Sequence, residues 1–261
     1  MNDPSTRYRI GPGFQLEVFE TYEGMSRKAM EIVSGLVRSK PDSLLCLPTG
    51  NTPTRTYELL AIDRNEDPAL YDRVRILKLD EWAGLSANDE GSCESYLQKH
   101  VIVPLGVDEG RYFGFDGNAP DLEAECRRVT GLLDKIGPID LCLLGIGVNG
   151  HLGLNEPAEV LSDTAHVVEL SETSRGHAMI ASVKDRPRRG LTLGMGDILR
   201  ARKIVLLISG KEKRIILRRL LETGVTTMLP ASFLRLHPDV TALCDRSASG
   251  PHVRGNDVGT M

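Results

Sequence analysis

Hydrophobic positions along this chain switch between two periods. Residues 15–20 (QLEVFE) alternate in polarity, as a strand with one buried face does. Over residues 21–39 the period lengthens, and Met25, Ala29, Ile32, Val33 and Leu36 recur at helical spacing. Residues 44–47 (LLCL) are a short continuous apolar run, the pattern of a strand buried on both faces in a parallel sheet. A turn-rich loop, 48–53 (PTGNTP), separates it from a predicted helix at 54–60. The same order then repeats. Strands are predicted at 74–79, 140–144, 164–170, 203–208 and 240–244, and helices at 93–103, 121–136 and 211–221. From Ser247 the chain is polar and Gly-rich, which predicts loose order.

Strands that alternate with helices imply an α/β fold: a doubly wound, mostly parallel sheet with helices on both faces, a Rossmann-like three-layer sandwich. No linker, repeat or low-complexity tract interrupts the pattern, so residues 1–261 read as one domain. Ligands of such sheets bind at the carboxyl ends of the strands. That rule selects four loops: 49–52, 80–82, 145–156 and 209–213.

Composition narrows the partner. Hydrophobic residues make up 41% of the 261, enough for a sizeable core, and the net charge of -4 comes from interspersed acids and bases. That distribution argues against a nucleic-acid or membrane surface and for a small molecule. Five cysteines at wide spacing, with no C-x-x-C pair, read as reduced, buried thiols. The first ten residues are polar, unlike a signal peptide, and no apolar run reaches membrane length. A cytoplasmic location is expected.

The four loops carry the candidate chemistry. Residues 145–150 spell G-x-G-x-x-G after a strand, which could announce a dinucleotide site. That reading needs a helix opening at the third glycine, and the continuation HLGLNEP, with Gly153 and Pro157, has poor helical periodicity. The alternative is a loop in which Gly147 and Gly150 let the backbone turn close to a ligand and aim His151 and Glu156 at it. A lone histidine is more often structural; a second titratable group on the same loop shifts the balance. Asp80 and Glu81 are either a solvated pair at a strand end or the source of a general base. Thr49, Gly50, Asn51 and Thr52 form a strand-to-helix turn that suits an anion, and equally an ordinary turn with Thr52 as N-cap and Pro53 at the first helical position. Lys213, on the first turn after residues 209–210, opposes the helix dipole, which a bound anion or plain water would relieve. Two anion-suited turns fit a phosphorylated substrate.

PTGNTP, KLDEW, GIGVNGHLGLNEP, LTLGMGDIL and ASFLRLHPD, in this order from about Leu44 to Cys244, resemble the glucosamine-6-phosphate deaminase/isomerase family. KLDEW, the GSCESYLQKHVIVPLG stretch, NGHLGLNEP and ASFLRLH look closest to its galactosamine-6-phosphate branch. The resemblance implies an enzyme without metal or other cofactor, acting on an amino-sugar 6-phosphate and releasing a ketose 6-phosphate and ammonia. It implies that His151, supported by Glu156, assists ring opening, and that Asp80 moves a proton between C2 and C1. The 49–52 loop and Lys213 would hold the phosphate. A lactone-hydrolysing relative, the 6-phosphogluconolactonase family, shares the fold and a similar histidine loop but lacks Asn155-Glu156-Pro157.

Three departures from the family pattern stand out. Asn149 occupies a position where many members carry Asp. Glu159, His166 and Val168 stand where allosterically activated members carry a Ser and two basic residues, so no such activation is expected. The family's phosphate-binding Arg falls in a loosely aligned segment where Arg175, Lys184, Arg186 and Arg188 compete. That polar, basic stretch marks a mobile lid around 158–189. Both a monomer and a homo-oligomer remain open.

Overall fold

The computed structural model describes residues 6–250. In chain order the strands are β1 (Thr6–Gly11), β2 (Phe14–Phe19), β3 (Leu44–Leu47), β4 (Arg75–Lys78), β5 (Asp80–Trp82), β6 (Tyr112–Phe113), β7 (Leu141–Gly145), β8 (His166–Glu169), β9 (Arg189–Thr192), β10 (Ile204–Ile208) and β11 (Val240–Asp245). The helices are α1 (Tyr22–Ser39), α2 (Asn51–Glu66), α3 (Cys93–Leu97), α4 (Val103–Leu105), α5 (Leu122–Ile136), α6 (Glu172–Arg175), α7 (Met195–Leu199), α8 (Arg214–Glu222) and α9 (Arg246–Ser249). A π turn, Gln98–Ile102, joins α3 to α4.

The large sheet runs β1-β2-β11-β10-β7-β3-β4-β6. Every pairing in it is parallel except the β1–β2 hairpin. Apolar runs form its middle because each face has a partner. Leu44, Cys46, Cys142, Leu144, Leu206 and Ile208 point to one side, where α5, α7 and α8 supply Val129, Ile198 and Ile216. Leu45, Leu47, Leu141, Leu143, Val205 and Leu207 point to the other, against Met25, Val33 and Val37 of α1 and Tyr57 and Leu60 of α2. The helices start where the sequence supplies caps. Thr21 Oγ1 accepts from Gly24 N at 3.1 Å, and Asp121 Oδ1 accepts from Ala124 N at 2.9 Å.

Several expectations need correction. The strand expected at 74–79 is present as β4, but Asp80–Trp82 just beyond it, which carried no strand expectation, becomes β5 of a separate antiparallel sheet, β5-β9-β8. The expected strand at 164–170 exists as β8 but belongs to that small sheet. Its residues are only partly buried, so it lacks the continuous apolar run of a central strand. The helix expected at 54–60 begins at Asn51, and Thr52 is not its cap. Gly50 takes φ 102°, which turns the chain into the helix earlier than the Thr-Pro signal suggests. Residues 211–213 form a 3-10 turn before α8. The start of the polar tail is ordered, since Asp245 caps α9 through Ala248 N (2.7 Å) and buries Ala248 and Ser249; residues 251–261 lie outside the described residues. No sequence signal marked β1, β6 or β9, which are polar or very short.

The five cysteines are free and buried. Among the described residues no helix is long and apolar enough to cross a membrane.

Candidate active site

Strands β10, β7, β3 and β4 are consecutive in the large sheet and parallel. Their carboxyl ends therefore lie along one edge, and the four loops chosen from the sequence leave from that edge. Local contacts draw them together. Gly153 sits so close to Thr192 and Leu79 that a Cβ there would lie 2.7 Å from Thr192 Oγ1 and 3.4 Å from Leu79 Cγ. Leu154 N donates to the same Thr192 hydroxyl at 3.2 Å. Thr192 is the register partner of Asp80, so the histidine loop is packed beside the carboxylate.

Asp80 opens β5 and is 9% exposed. Burial first, then the neighbouring Glu81 charge, pushes its pKa up from 3.8 to about 7, against the opposing pull of Lys78 and the Cys93 thiol. Cys93 Sγ lies 3.9 Å from Asp80 Oδ1 and accepts from Thr49 Oγ1 at 3.4 Å. That thiol ties the 49–52 loop to the carboxyl group. A carboxylate poised near neutrality in a dry pocket suits proton abstraction from carbon.

Glu81 faces inward. Its Oε2 takes 2.7 and 2.8 Å hydrogen bonds from Lys78 Nζ and Glu94 N, and its Oε1 takes 2.9 Å bonds from Cys93 N and Trp82 N. At 1% exposure it caps α3 and neutralises the buried Lys78, which also pairs with Glu94 at 2.7 Å. Glu81, expected among the substrate contacts, thus has both oxygens engaged by Lys78 and backbone N–H groups, and it lines a cavity with Lys78, Leu85, Glu94 and Phe115.

No helix follows Gly150; the loop runs irregularly to Glu156. This removes the structural element that a dinucleotide fingerprint requires. Gly147 leaves room for the His151 ring, since a Cβ there would lie 2.4 Å from the ring atoms Cε1 and Nε2. His151 Nδ1 is 3.5 Å from Glu156 Oε2, at the long limit of contact, and that nitrogen makes no hydrogen bond among the described residues. Asn149 joins them from the side. Its Nδ2 donates to Glu156 Oε2 at 2.7 Å, and its Oδ1 accepts from His151 N at 3.2 Å. An amide can make both contacts, whereas an ionised Asp would set a second negative charge against Glu156.

The other Glu156 oxygen is held by residues that the sequence reading missed. Ser171 Oγ donates to Oε1 at 2.9 Å, and Ser174 Oγ makes a short hydrogen bond to the same atom. Burial raises the Glu156 pKa, but the nearby His151 ring and the hydrogen bonds from Ser174 and Asn149 outweigh it and hold the group down at about 2. Glu156 is thus a fixed anion across the neutral range.

Ser171 and Ser174 cap and form α6, so the basic segment is tied to the site through Glu156. Of its cations, Arg175 is half-buried with Nε buried and unpartnered. Arg186 instead braces the segment, donating to the carbonyls of Arg175 (3.5 Å) and Ala181 (3.2 Å). Lys184 and Arg188 are exposed. His177 is the other missed residue. Its Nδ1 accepts from Met179 N at 3.3 Å, and its Cε1 and Nε2 would each lie 3.8 Å from a Cβ on Gly50. Its ring centroid is 5.9 Å from that of Trp82. Loss of water around the ring, and then the charges of His151 and Lys213, lower its pKa. Lys213 is lowered too, mainly by burial.

The 49–52 turn has the backbone of an anion cradle. The carbonyls of Gly50, Asn51 and Thr52 are drawn away by Tyr96 (2.7 Å) and Tyr22 (3.0 Å to each), and no side chain caps the amino end of α2. The N–H groups of that first turn are left for a ligand. A separate concavity lined by Leu133, Pro138, Asp197 and Arg200 lies at the opposite strand ends and gathers no comparable set. Among the described residues no three His, Cys, Asp or Glu side chains group as a metal site would.

Known proteins resemble this arrangement along most of the chain. The profile described as glucosamine-6-phosphate isomerases/6-phosphogluconolactonase matches residues 20–242. A putative deaminase, AgaI, of Escherichia coli K12 is 40% identical over 87% of this chain and 90% of its own length. Glucosamine-6-phosphate deaminase 1 of Bacillus subtilis 168 is 41% identical over 88% of this chain and 96% of its own. The solved structure of a monomeric glucosamine-6-phosphate deaminase superposes with a TM-score of 0.86 at 40% identity, covering 90% of this chain and 98% of that one. A 6-phosphogluconolactonase from Leishmania guyanensis shares the fold at a TM-score of 0.74 and 23% identity, over 94% of this chain and all of that one.

Proposed function

Since the chain belongs to the glucosamine-6-phosphate isomerase/6-phosphogluconolactonase family, we propose that it is an amino-sugar-6-phosphate deaminase that couples aldose–ketose isomerisation to loss of ammonia. The observation that carries this reading is the division of labour between carboxylates: Asp80 near neutrality, Glu156 ionised across the neutral range. In this scheme His151, held beside Glu156, moves the proton between ring oxygen and O1 as the sugar opens. Asp80 then removes the C2 proton and returns it to C1. The resulting C2 imine takes up water and releases ammonia, leaving a ketose 6-phosphate. The α2 amino terminus, Lys213 and Arg175 hold the phosphate.

Relatives named for glucosamine 6-phosphate, at 40–41% identity, support that epimer. Galactosamine 6-phosphate rests on the sequence motifs alone. Glu156, clamped by Asn149, Ser171 and Ser174, favours the deaminase over a lactonase, because the Asn-Glu-Pro segment that supplies it is the part lactonases lack. The segment around 158–189 is the lid in this reading, with Glu156 as its anchor. Asp80→Asn tests the scheme: it should abolish ammonia release while sugar-phosphate affinity stays within about threefold of wild type, an energy change below 1 kcal/mol. Undiminished turnover in that variant would refute Asp80 as the base.

A further inference from the structure

We propose that His177 is a direct ligand of the substrate phosphate, delivered by the segment that Ser171 and Ser174 fasten to Glu156. The inference rests on the sugar-phosphate reading of the site and adds to it a residue that no motif indicated.

Three independent observations place His177 there. Its ring edge, Cε1 and Nε2, faces Gly50 at the turn into α2, where backbone N–H groups have no side-chain cap. Its Nδ1 is already engaged as an acceptor of Met179 N, which fixes the neutral tautomer with the proton on Nε2, the atom toward Gly50. The charges of His151 and Lys213 reach the ring from two other loops. His151 and Lys213 have Glu156 and Glu212 beside them, whereas no acidic group among the described residues acts on His177, so an anion on this turn would meet donors from three loops. Trp82 packs at 5.9 Å beside the ring and is 4% exposed, so the ring is held in place on that side. A phosphate seated on the α2 turn would accept from Nε2 of His177, while Nδ1 keeps its bond from Met179 N.

The position also makes chemical sense of the anchor. Glu156 Oε1 accepts from both Ser171 and Ser174. His177 follows three residues after Ser174, so a phosphate held by it would bear on the segment that aligns Glu156 with His151.

The test is calorimetric binding of inorganic phosphate to the full-length protein, wild type against His177→Ala and His177→Gln. A hydrogen bond to a charged group contributes roughly 1.5–3 kcal/mol, so His177→Ala should weaken phosphate by about tenfold or more. His177→Gln, which keeps an N–H donor, should recover most of that loss. The same variants assayed with amino-sugar 6-phosphates should show the change in KM rather than kcat. Equal phosphate affinity in wild type and His177→Ala would overturn the proposal, as would a wild type that binds no phosphate. So would a His177→Gln variant as weak as His177→Ala, which would show that the ring only fills space beside Trp82. Phosphate weakening in a protein that turns over no amino sugar would keep His177 as a ligand and refute the deaminase reading.

Discussion

Two carboxylates on the segments that follow β4 and β7 have pKa values set about five units apart, at about 7 for Asp80 and about 2 for Glu156. The difference comes from partners: Asp80 has burial and a like charge, while Glu156 has three hydrogen-bond donors and the His151 ring beside it. The profile of kcat/KM against pH should therefore fall below about 7, where Asp80 takes up a proton, by about tenfold per unit. Asp80→Asn should cost about 100- to 10,000-fold in turnover, the range for loss of a general base. It should also stabilise the fold. Because the folded pKa of Asp80 is raised, its contribution to stability is intact below 3.8 and is lost as pH rises through about 7. Thermal melts should show the Asn variant gaining over wild type through that window and levelling off above it, by about 1–3 kcal/mol. A gain that shrinks with rising pH would contradict the burial argument. That Asp80, His151 and Glu156 lie near one another at one sheet edge was legible because strand-end position and residue type together select them as candidates. The inward turn of Glu81 was not, because a charge pair in sequence does not say which member turns inward. Its fate depends on Lys78 and the amide groups of α3.

Among the elements, α6 shows what local pattern could not supply. Four residues, ETSR, carry no periodicity, yet Ser171 and Ser174 hold Glu156 from 15 and 18 positions away. Ser171→Ala with Ser174→Ala should free the segment. The expected outcomes are a raised KM, faster proteolysis of residues 172–189, and stability lower by about 1–3 kcal/mol, the cost of stripping hydrogen bonds from a buried charge. Unchanged KM and protease resistance would show that the segment is held elsewhere. The same logic explains the misread small sheet. β5, β8 and β9 are short and half-polar, and only their antiparallel register with one another, Asp80 opposite Thr192 and His166 opposite Thr192, makes them strands. The central strands β3, β7, β10 and β11 announced themselves because burial on both faces leaves an unbroken apolar run.

At the scale of the molecule, the parallel sheet sets the geometry, since four adjacent strands must deliver four loops to one edge. The site therefore depends on a core remote from it. Leu206, on β10 and fully buried, supports both β7 and β11. Leu206→Ala should cost about 2–5 kcal/mol in denaturant unfolding, with KM of the folded fraction unchanged. The account as a whole asserts that this edge removes ammonia from an amino-sugar 6-phosphate. The most direct measurement is ammonia release by the purified protein from glucosamine 6-phosphate and from galactosamine 6-phosphate, each assayed beside Asp80→Asn. The account predicts stoichiometric ammonia and ketose 6-phosphate from at least one epimer, lost in the variant. Ammonia from neither, or release that survives Asp80→Asn, would contradict it.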